Sequence, residues 1–397
     1  MPRTLSILAF LAVALGIVAG MHWYLWARLV RDPGLGEPWR RLATVLVVLL
    51  AIAVPAGMFA VRIGSGWVQR FFPIIAFSWL GVCFILCCAV AAFDLARLAA
   101  QGMTLLSDWL RSQPEAPADP ARRAFVARVA AGGALLAGGG ATALAFRSAT
   151  GPAQVEEVPV KLERLPRALS GYTIAQISDL HVGPLIQERE VRRVVEQTNG
   201  LRPDLIAITG DLVDGSVEDL GRYVDLLGRL QARHGVWFVT GNHDYYSGAD
   251  AWVAKLRQLG FRVLRNQRAT IGEPGASFEL AGVEDYGAAR DDHPANIATA
   301  FAGRDPEKPL VLLAHQPRGV EAAVAAGADL QLSGHTHGGQ IIPFNLLVAA
   351  STPYVRGLHT HVEGERRGQI YVHRGTGFWG PPMRLGSPPE IAKLVLV

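Results

Sequence analysis

The stretch Thr173-Ile174-Ala175-Gln176-Ile177-Ser178-Asp179-Leu180-His181 joins a run of strand length to two side chains that can bind a cation. Three more β-branched or aliphatic runs are built the same way. Residues 205–209 lead into Gly210-Asp211, residues 236–240 into Gly241-Asn242-His243-Asp244, and residues 310–314 into His315. Between them, residues 188–197, 217–230 and 251–259 place apolar side chains at helical spacing. Strand-length runs alternating with helical segments predict an α/β layer fold. Later runs near residues 277–283, 330–332, 369–373 and 391–397 predict a second sheet packed on the first. In open α/β sheets the loops at the carboxyl ends of strands share one edge, so groups distant in sequence meet there.

A fifth donor segment, Gly334-His335-Thr336-His337, is followed by Gly338-Gly339, and these small neighbours allow two imidazoles to approach one centre. Singly, each segment has an ordinary explanation: Asp179 and Asp211 as caps, His315 as a structural imidazole. Together they make a mixed nitrogen and oxygen donor set that suits Mn, Fe or Zn better than Ca. Two divalent ions about 3.5 to 4 Å apart can activate a water and stabilise the leaving oxygen of a phosphoryl transfer. An Asp suits a bridge between them, since each carboxylate oxygen can take one ion.

The order D-x-H, G-D, G-N-H-[DE], a lone His and G-H-x-H resembles the calcineurin-like metallophosphoesterases, from Thr173 to the end of the chain. That resemblance implies a pair of mixed sheets between helices, a four-layer α/β/β/α sandwich. It also implies Asp179, His181 and His337 on one metal, Asn242, His315 and His335 on the other, and Asp211 bridging. His243 would then donate a hydrogen bond or proton to the phosphate or its leaving group, oriented by Asp244. Residues 375–386 and the phrase His337-Gly338-Gly339-Gln340 resemble the membrane-attached or exported bacterial branch. That branch is similar to the UDP-diacylglucosamine pyrophosphatases. Phe378 and Trp379 read as core or as lining for an apolar substrate portion, with Tyr245 and Tyr246 equally open. Arg384 reads as a phosphate partner or a surface ion pair.

Half of the 397 residues are hydrophobic, and the apolar excess lies before residue 150. Residues 5–30, 42–61 and 72–93 have the length and composition of membrane helices, with residues 129–146 a fourth. This divides the chain into an all-α transmembrane region, 1–150, and a hydrolase domain, 151–397. Residues 1–150 carry 13 Arg, no Lys and six acidic residues, a balance of +7, whereas 151–397 balance at −3. The basic excess thus belongs to membrane loops, and a nucleic-acid partner for the catalytic part is not expected. Arginines concentrate in the first loop (Arg28, Arg31, Arg40, Arg41) and the third (Arg97, Arg111, Arg122, Arg123, Arg128). The positive-inside rule puts those loops in the cytoplasm and the hydrolase across the inner membrane.

Prolines within residues 113–120 mark a loop, and Arg122-Arg123 before a mild apolar run reads as a twin-arginine export signal or an ordinary anchor. Cys83, Cys87 and Cys88 read as buried apolar residues. His22, Trp23, Tyr24 and Trp26 read as an interfacial aromatic belt. Asp94 stands nearly alone as an intramembrane charge, which argues against a transporter.

The expected function is a membrane-anchored dimetal phosphoesterase. Its substrate would be a phosphodiester, pyrophosphate or phosphomonoester, on a phosphorylated small molecule or a lipid-linked envelope component, close to membrane lipids. The competing expectation is a metal-dependent phospho-ligand sensor or scaffold without turnover.

Overall fold

The computed structural model describes residues 3–63, 66–111, 119–291 and 293–397. Residues 113–118 of the expected proline loop lie outside them. The chain divides into two compact units, Met1–Phe146 with Gly380–Pro382, and Arg147–Trp379 with Met383–Val397.

Four helices build the first: α1 (Arg3–Trp26), α2 (Trp39–Ile63), α3 (Gly66–Arg111) and α4 (Pro120–Thr150), whose last turn enters the second unit. All four are long and apolar enough to cross a membrane. A helix satisfies its own backbone groups, the condition for crossing hydrocarbon. α3 runs far past the apolar stretch 72–93, because the Ala- and Leu-rich residues after Asp94 keep helix propensity high. Small residues set the helix spacing: a Cβ at Gly57 would lie 2.1 Å from that of Ala76, and one at Gly138 2.7 Å from Leu86 Cδ2.

The aromatic belt needs correction. His22 is buried, accepting at Nε2 from Trp79 Nε1 (2.8 Å) while Nδ1 meets the Val18 carbonyl. Tyr24 donates to Asp94 and Trp26 to Thr44, leaving Trp23 of the four strongly exposed. Polar atoms on these rings found partners on neighbouring helices, where an unmet donor is costly. Of the three cysteines expected to be buried, Cys83 lies in the small core of this unit, while Cys87 and Cys88 are half-buried.

The second unit carries strands β1 (Gln154–Val160), β2 (Thr173–Ile177), β3 (Leu205–Thr209), β4 (Val236–Val239), β5 (Arg262–Val263) and β6 (Gln267–Glu273). It continues with β7 (Ala276–Gly282), β8 (Leu310–Leu313), β9 (Leu330–Ser333), β10 (Gly357–Glu363), β11 (Arg366–Val372) and β12 (Glu390–Leu396). They form two sheets, ordered β1-β12-β2-β3-β4-β5 and β10-β11-β9-β8-β7-β6. Alternation of side chains decides the layers. On β3, Leu205 and Ala207 point between the sheets with Phe278, Val311 and Leu332, while Ile206 and Ile208 pack under the helices of the first sheet. Leu310 and Leu312 on β8 face the outer helices of the second. The result is the helix, sheet, sheet, helix sandwich.

Two strands sit in the other sheet from the one expected. β8 pairs with β7 and β9, and β12 lies in the first sheet, antiparallel to β2 and parallel to β1. β12 suits a central place because Ile391 and Leu394 are apolar toward opposite faces. β1, β5, β6 and β10 were not anticipated. β1 and β10 are edge strands, largely exposed and rich in polar residues, so they lack the apolar signature of the interior strands.

Candidate metal centre

Every expected donor lies just past the carboxyl end of a strand. Asp179 and His181 follow β2, Asp211 follows β3, Asn242 follows β4, His315 follows β8, and His335 and His337 follow β9. Both sheets therefore feed one edge. The turns that do this are strained: φ is 52° at Asp179, 51° at His181, 51° at Asp211, 70° at His335 and 51° at His337. Non-glycine residues there cost about 1–3 kcal/mol each and persist only where the surroundings enforce them. Glycines supply the enforcement through close approach. A Cβ at Gly334 would lie 2.0 Å from Ser178 Oγ and 2.2 Å from Asp179 Oδ2, and one at Gly241 2.2 Å from Asp211 Oδ1.

Three overlapping donor groups result: Asp179 with His181 and His337, His181 with Asp211 and His243, and Asp211 with His315 and His335. Asp211 is common to the second and third. His181 Nε2 stands 3.1 Å from His337 Nε2 and 3.9 Å from Asp211 Oδ2, while His315 Nε2 stands 3.1 Å from Asp211 Oδ2 and 3.2 Å from His335 Nδ1.

These residues fit a pair of cations. His315 donates Nδ1–H to the Thr209 carbonyl, which turns its Nε2 against the Asp211 carboxylate, where a proton or a cation must lie between them. Acceptors facing each other at 3.1 Å require positive charge between them. Asn242 Oδ1 is buried with no hydrogen-bond partner among the described residues, an omission worth about 1–3 kcal/mol unless something electropositive meets it.

The electrostatics agree. Burial would raise Asp211, but His315, His181 and His243 hold its carboxyl far below the usual range; burial likewise opposes the low Asp179, which His315 and His181 outweigh. His181 is pushed up to about 9, its burial overcome by Asp214, then Asp211 and Asp179. Burial, followed by Arg384, keeps His337 well below its ordinary value and neutral. Protons are drawn to the positions a cation would take.

His243 differs from the expected arrangement. Its Nδ1 lies 2.7 Å from Asp214 Oδ1, and the other oxygen of Asp214 takes His181 Nδ1 at 3.1 Å. Asp244 does not face the ring. It is buried and accepts from the backbone N–H groups of Gly241 (2.7 Å), Asp211 (3.0 Å) and Leu212 (2.9 Å). Burial, then the charge of Asp211, raises its carboxyl to about 7. The turn Asn242–Tyr246 is helical, and its third residue points back at its own amino end, as a capping carboxylate does. Asp244 thus holds the two loops together, and Asp214 holds the two imidazoles. Asp214 went unremarked in the sequence, although a carboxylate three residues beyond Asp211 on the same loop was a signal.

Arg384 also departs from its reading. It is buried, and its guanidinium donates to the carbonyls of His337 (2.9 Å), Arg374 (2.7 Å) and Gly377, with Nη2 3.0 Å from His337 Nδ1. It braces the His337 loop and is not a surface ion pair. Phe378 belongs to the core and Tyr245 donates to Glu284. Tyr246 and Trp379 are 74% and 53% exposed, with ring centroids 5.3 and 5.5 Å from that of His243.

Residues 172–339 match the calcineurin-like phosphoesterase family. A transmembrane protein with metallophosphoesterase domain from Danio rerio is 32% identical over 94% of this chain and 85% of its own length. An uncharacterized metallophosphoesterase of Helicobacter pylori is 39% identical over 62% of this chain, which spans 64% of that protein, and one from Bacillus subtilis is 30% identical over 67%, spanning 93%. With the fold, the converging donors and a relative that aligns over 94% of this chain, the chain belongs to the calcineurin-like phosphoesterases: it is a membrane-associated, metal-dependent phosphoester hydrolase.

Proposed function

We propose that this chain is a membrane-anchored dimetal phosphoesterase of the inner membrane, with its catalytic unit on the extracytoplasmic side. It hydrolyses a phosphodiester or pyrophosphate in preference to a monoester, in an envelope or lipid-linked substrate. The observation that carries this reading is Asp211, whose Oδ2 stands between His181 on one side and His315 on the other. Asp179, His181 and His337 are assigned to one cation, Asn242, His315 and His335 to the second, and Asp211 to both. Two divalent cations there supply Lewis-acid activation of water and of the phosphoryl oxygens; the donor chemistry suits Mn, Fe or Zn.

The chain's own residues do the rest. Asp214 accepts His243 Nδ1–H and fixes the ring, which leaves Nε2 as the ring atom that would meet the departing oxygen and hand it a proton. Asp214 also fixes the His181 ring, directing its Nε2 at the donor cluster. The neutral amide of Asn242 limits the negative charge an anionic substrate meets. Apolar surface surrounds the His337 loop: the helix Phe344–Ser351 has no buried residue, and Leu346 and Leu347 are 67% and 65% exposed. With Tyr246 and Trp379 this supports a substrate that carries an apolar portion.

The test uses full-length protein in detergent, with manganese and a panel comprising a bis-aryl phosphodiester, a nucleotide-sugar pyrophosphate and an aryl phosphomonoester. Turnover abolished by chelator, and lowered about 10²- to 10⁴-fold by His243→Ala, is expected. Turnover indifferent to both would refute hydrolysis at this centre, and binding without turnover would make the chain a sensor.

A further inference from the structure

Within the helical unit, a cavity of about 610 Å³ opens where three elements meet. The turn after α1 (Ala27–Arg31) contributes Arg28 and Arg31. α3 contributes Val90, Phe93, Asp94, Arg97 and Ala100, spaced three or four residues apart and so on one face. α4 adds Arg123 and, one turn on, Val126 and Ala127.

The charges in this cavity do not cancel. Four arginines face two carboxylates, Asp32 and Asp94. Asp32 is taken by Arg28 (2.8 Å) and Arg31 (2.9 Å). Asp94 receives Arg28 Nε at 2.9 Å and the Tyr24 hydroxyl at 2.7 Å, which leaves Arg97 a long contact of 3.7 Å. Arg97 Nε is buried without a hydrogen-bond partner, and Arg123 has no ion pair among the described residues. Two guanidinium groups are therefore left to bind an anion, and their planar donor forks match phosphate oxygens. The remaining wall is apolar, including Phe93, Phe125 and Val129. The cluster also marks a border: the run 72–93 ends just before Asp94 and Arg97, and the run 129–146 begins just after Arg123. Lipid phosphates lie at that depth in a bilayer.

We propose that this cavity binds one anionic phospholipid of the surrounding leaflet, its phosphate held by Arg97 and Arg123 and an acyl chain laid against the aromatic and aliphatic wall. A free phosphate would gain nothing from that wall, and a neutral lipid nothing from the arginines. The proposal rests on the membrane-spanning reading of these helices and is independent of hydrolysis at Asp211.

Full-length protein in detergent is titrated with phosphatidylglycerol, phosphatidylcholine, diacylglycerol and inorganic phosphate, with binding read by native mass spectrometry and thermal shift. The expected result is retention of phosphatidylglycerol over the other three, weakened about tenfold or more in Arg97→Gln/Arg123→Gln. Arg41→Gln, in the first arginine-rich loop and outside the cavity, should bind as wild type. Hydrolysis of a soluble diester should be unchanged in the double variant, and its thermal unfolding without lipid should match wild type, which verifies the folding of both units. Equal binding of phosphatidylglycerol and phosphatidylcholine, or an equal shift with inorganic phosphate, would overturn the proposal. If the double variant fails to fold, the headgroup comparison on wild type decides alone.

Discussion

At the scale of single residues, Asp214 has the widest reach, since one carboxylate fixes both His181 and His243. Asp214→Asn keeps the shape and removes the charge. Steady-state kinetics should show kcat lower by about 10²-fold, and manganese titration an affinity weaker by about 10-fold or more, as loss of a carboxylate behind a ligating imidazole entails. If Asp244 oriented His243 instead, manganese affinity would still fall through His181, but kcat at saturating manganese would stay near wild type. The seven candidate donors and His243 were legible because each sits within four residues of a strand end, so short motifs contain them whole. Asp214 was hidden because its partners come from two other loops. Arg384 was misread for a related reason: a cation among glycines and prolines looks exposed until the loops around residues 337, 374 and 377 close over it and turn their carbonyls inward.

Among the elements, the helix Phe344–Ser351 departs furthest from the ordinary rule, because it leaves leucines in water and buries none of its residues. If its apolar face meets a lipid or the lipid part of a substrate, Leu346→Ser/Leu347→Ser should lower hydrolysis of a vesicle-embedded phosphodiester by about tenfold, given the transfer free energy of two leucines. Turnover of a soluble diester should stay near wild type; equal loss on both substrates would count against the assignment. Interior strands such as β3, buried on every residue, were readable from composition alone. Sheet membership was not, because hydrogen bonds between β7 and β8, or β12 and β2, join segments of similar composition that nothing local distinguishes.

For the whole molecule, stability should respond to mild acid through His373. This ring is fully buried, accepts the Gly375 N–H at Nδ1 (2.9 Å), and leaves Nε2 without a hydrogen bond, 3.8 Å from Glu390 Oε1, whose charge burial outweighs. Burial lowers its pKa in the folded state, while an unfolded chain returns it to about 6.5. Between those values the unfolded state binds more protons, so stability rises with pH and is lost as pH falls below about 6.5. His373→Asn keeps an acceptor without a titrating group. Thermal unfolding in detergent between pH 7.5 and pH 5 should show a shallower fall in Tm for the variant; parallel slopes would remove His373 from the account. The place of β12 has another effect. It is translated after the other described strands, yet among them β1 pairs only with it and β2 depends on it along one side. Synthesis must therefore pass Leu396 before β2, which leads into the loop bearing Asp179, gains its final neighbour.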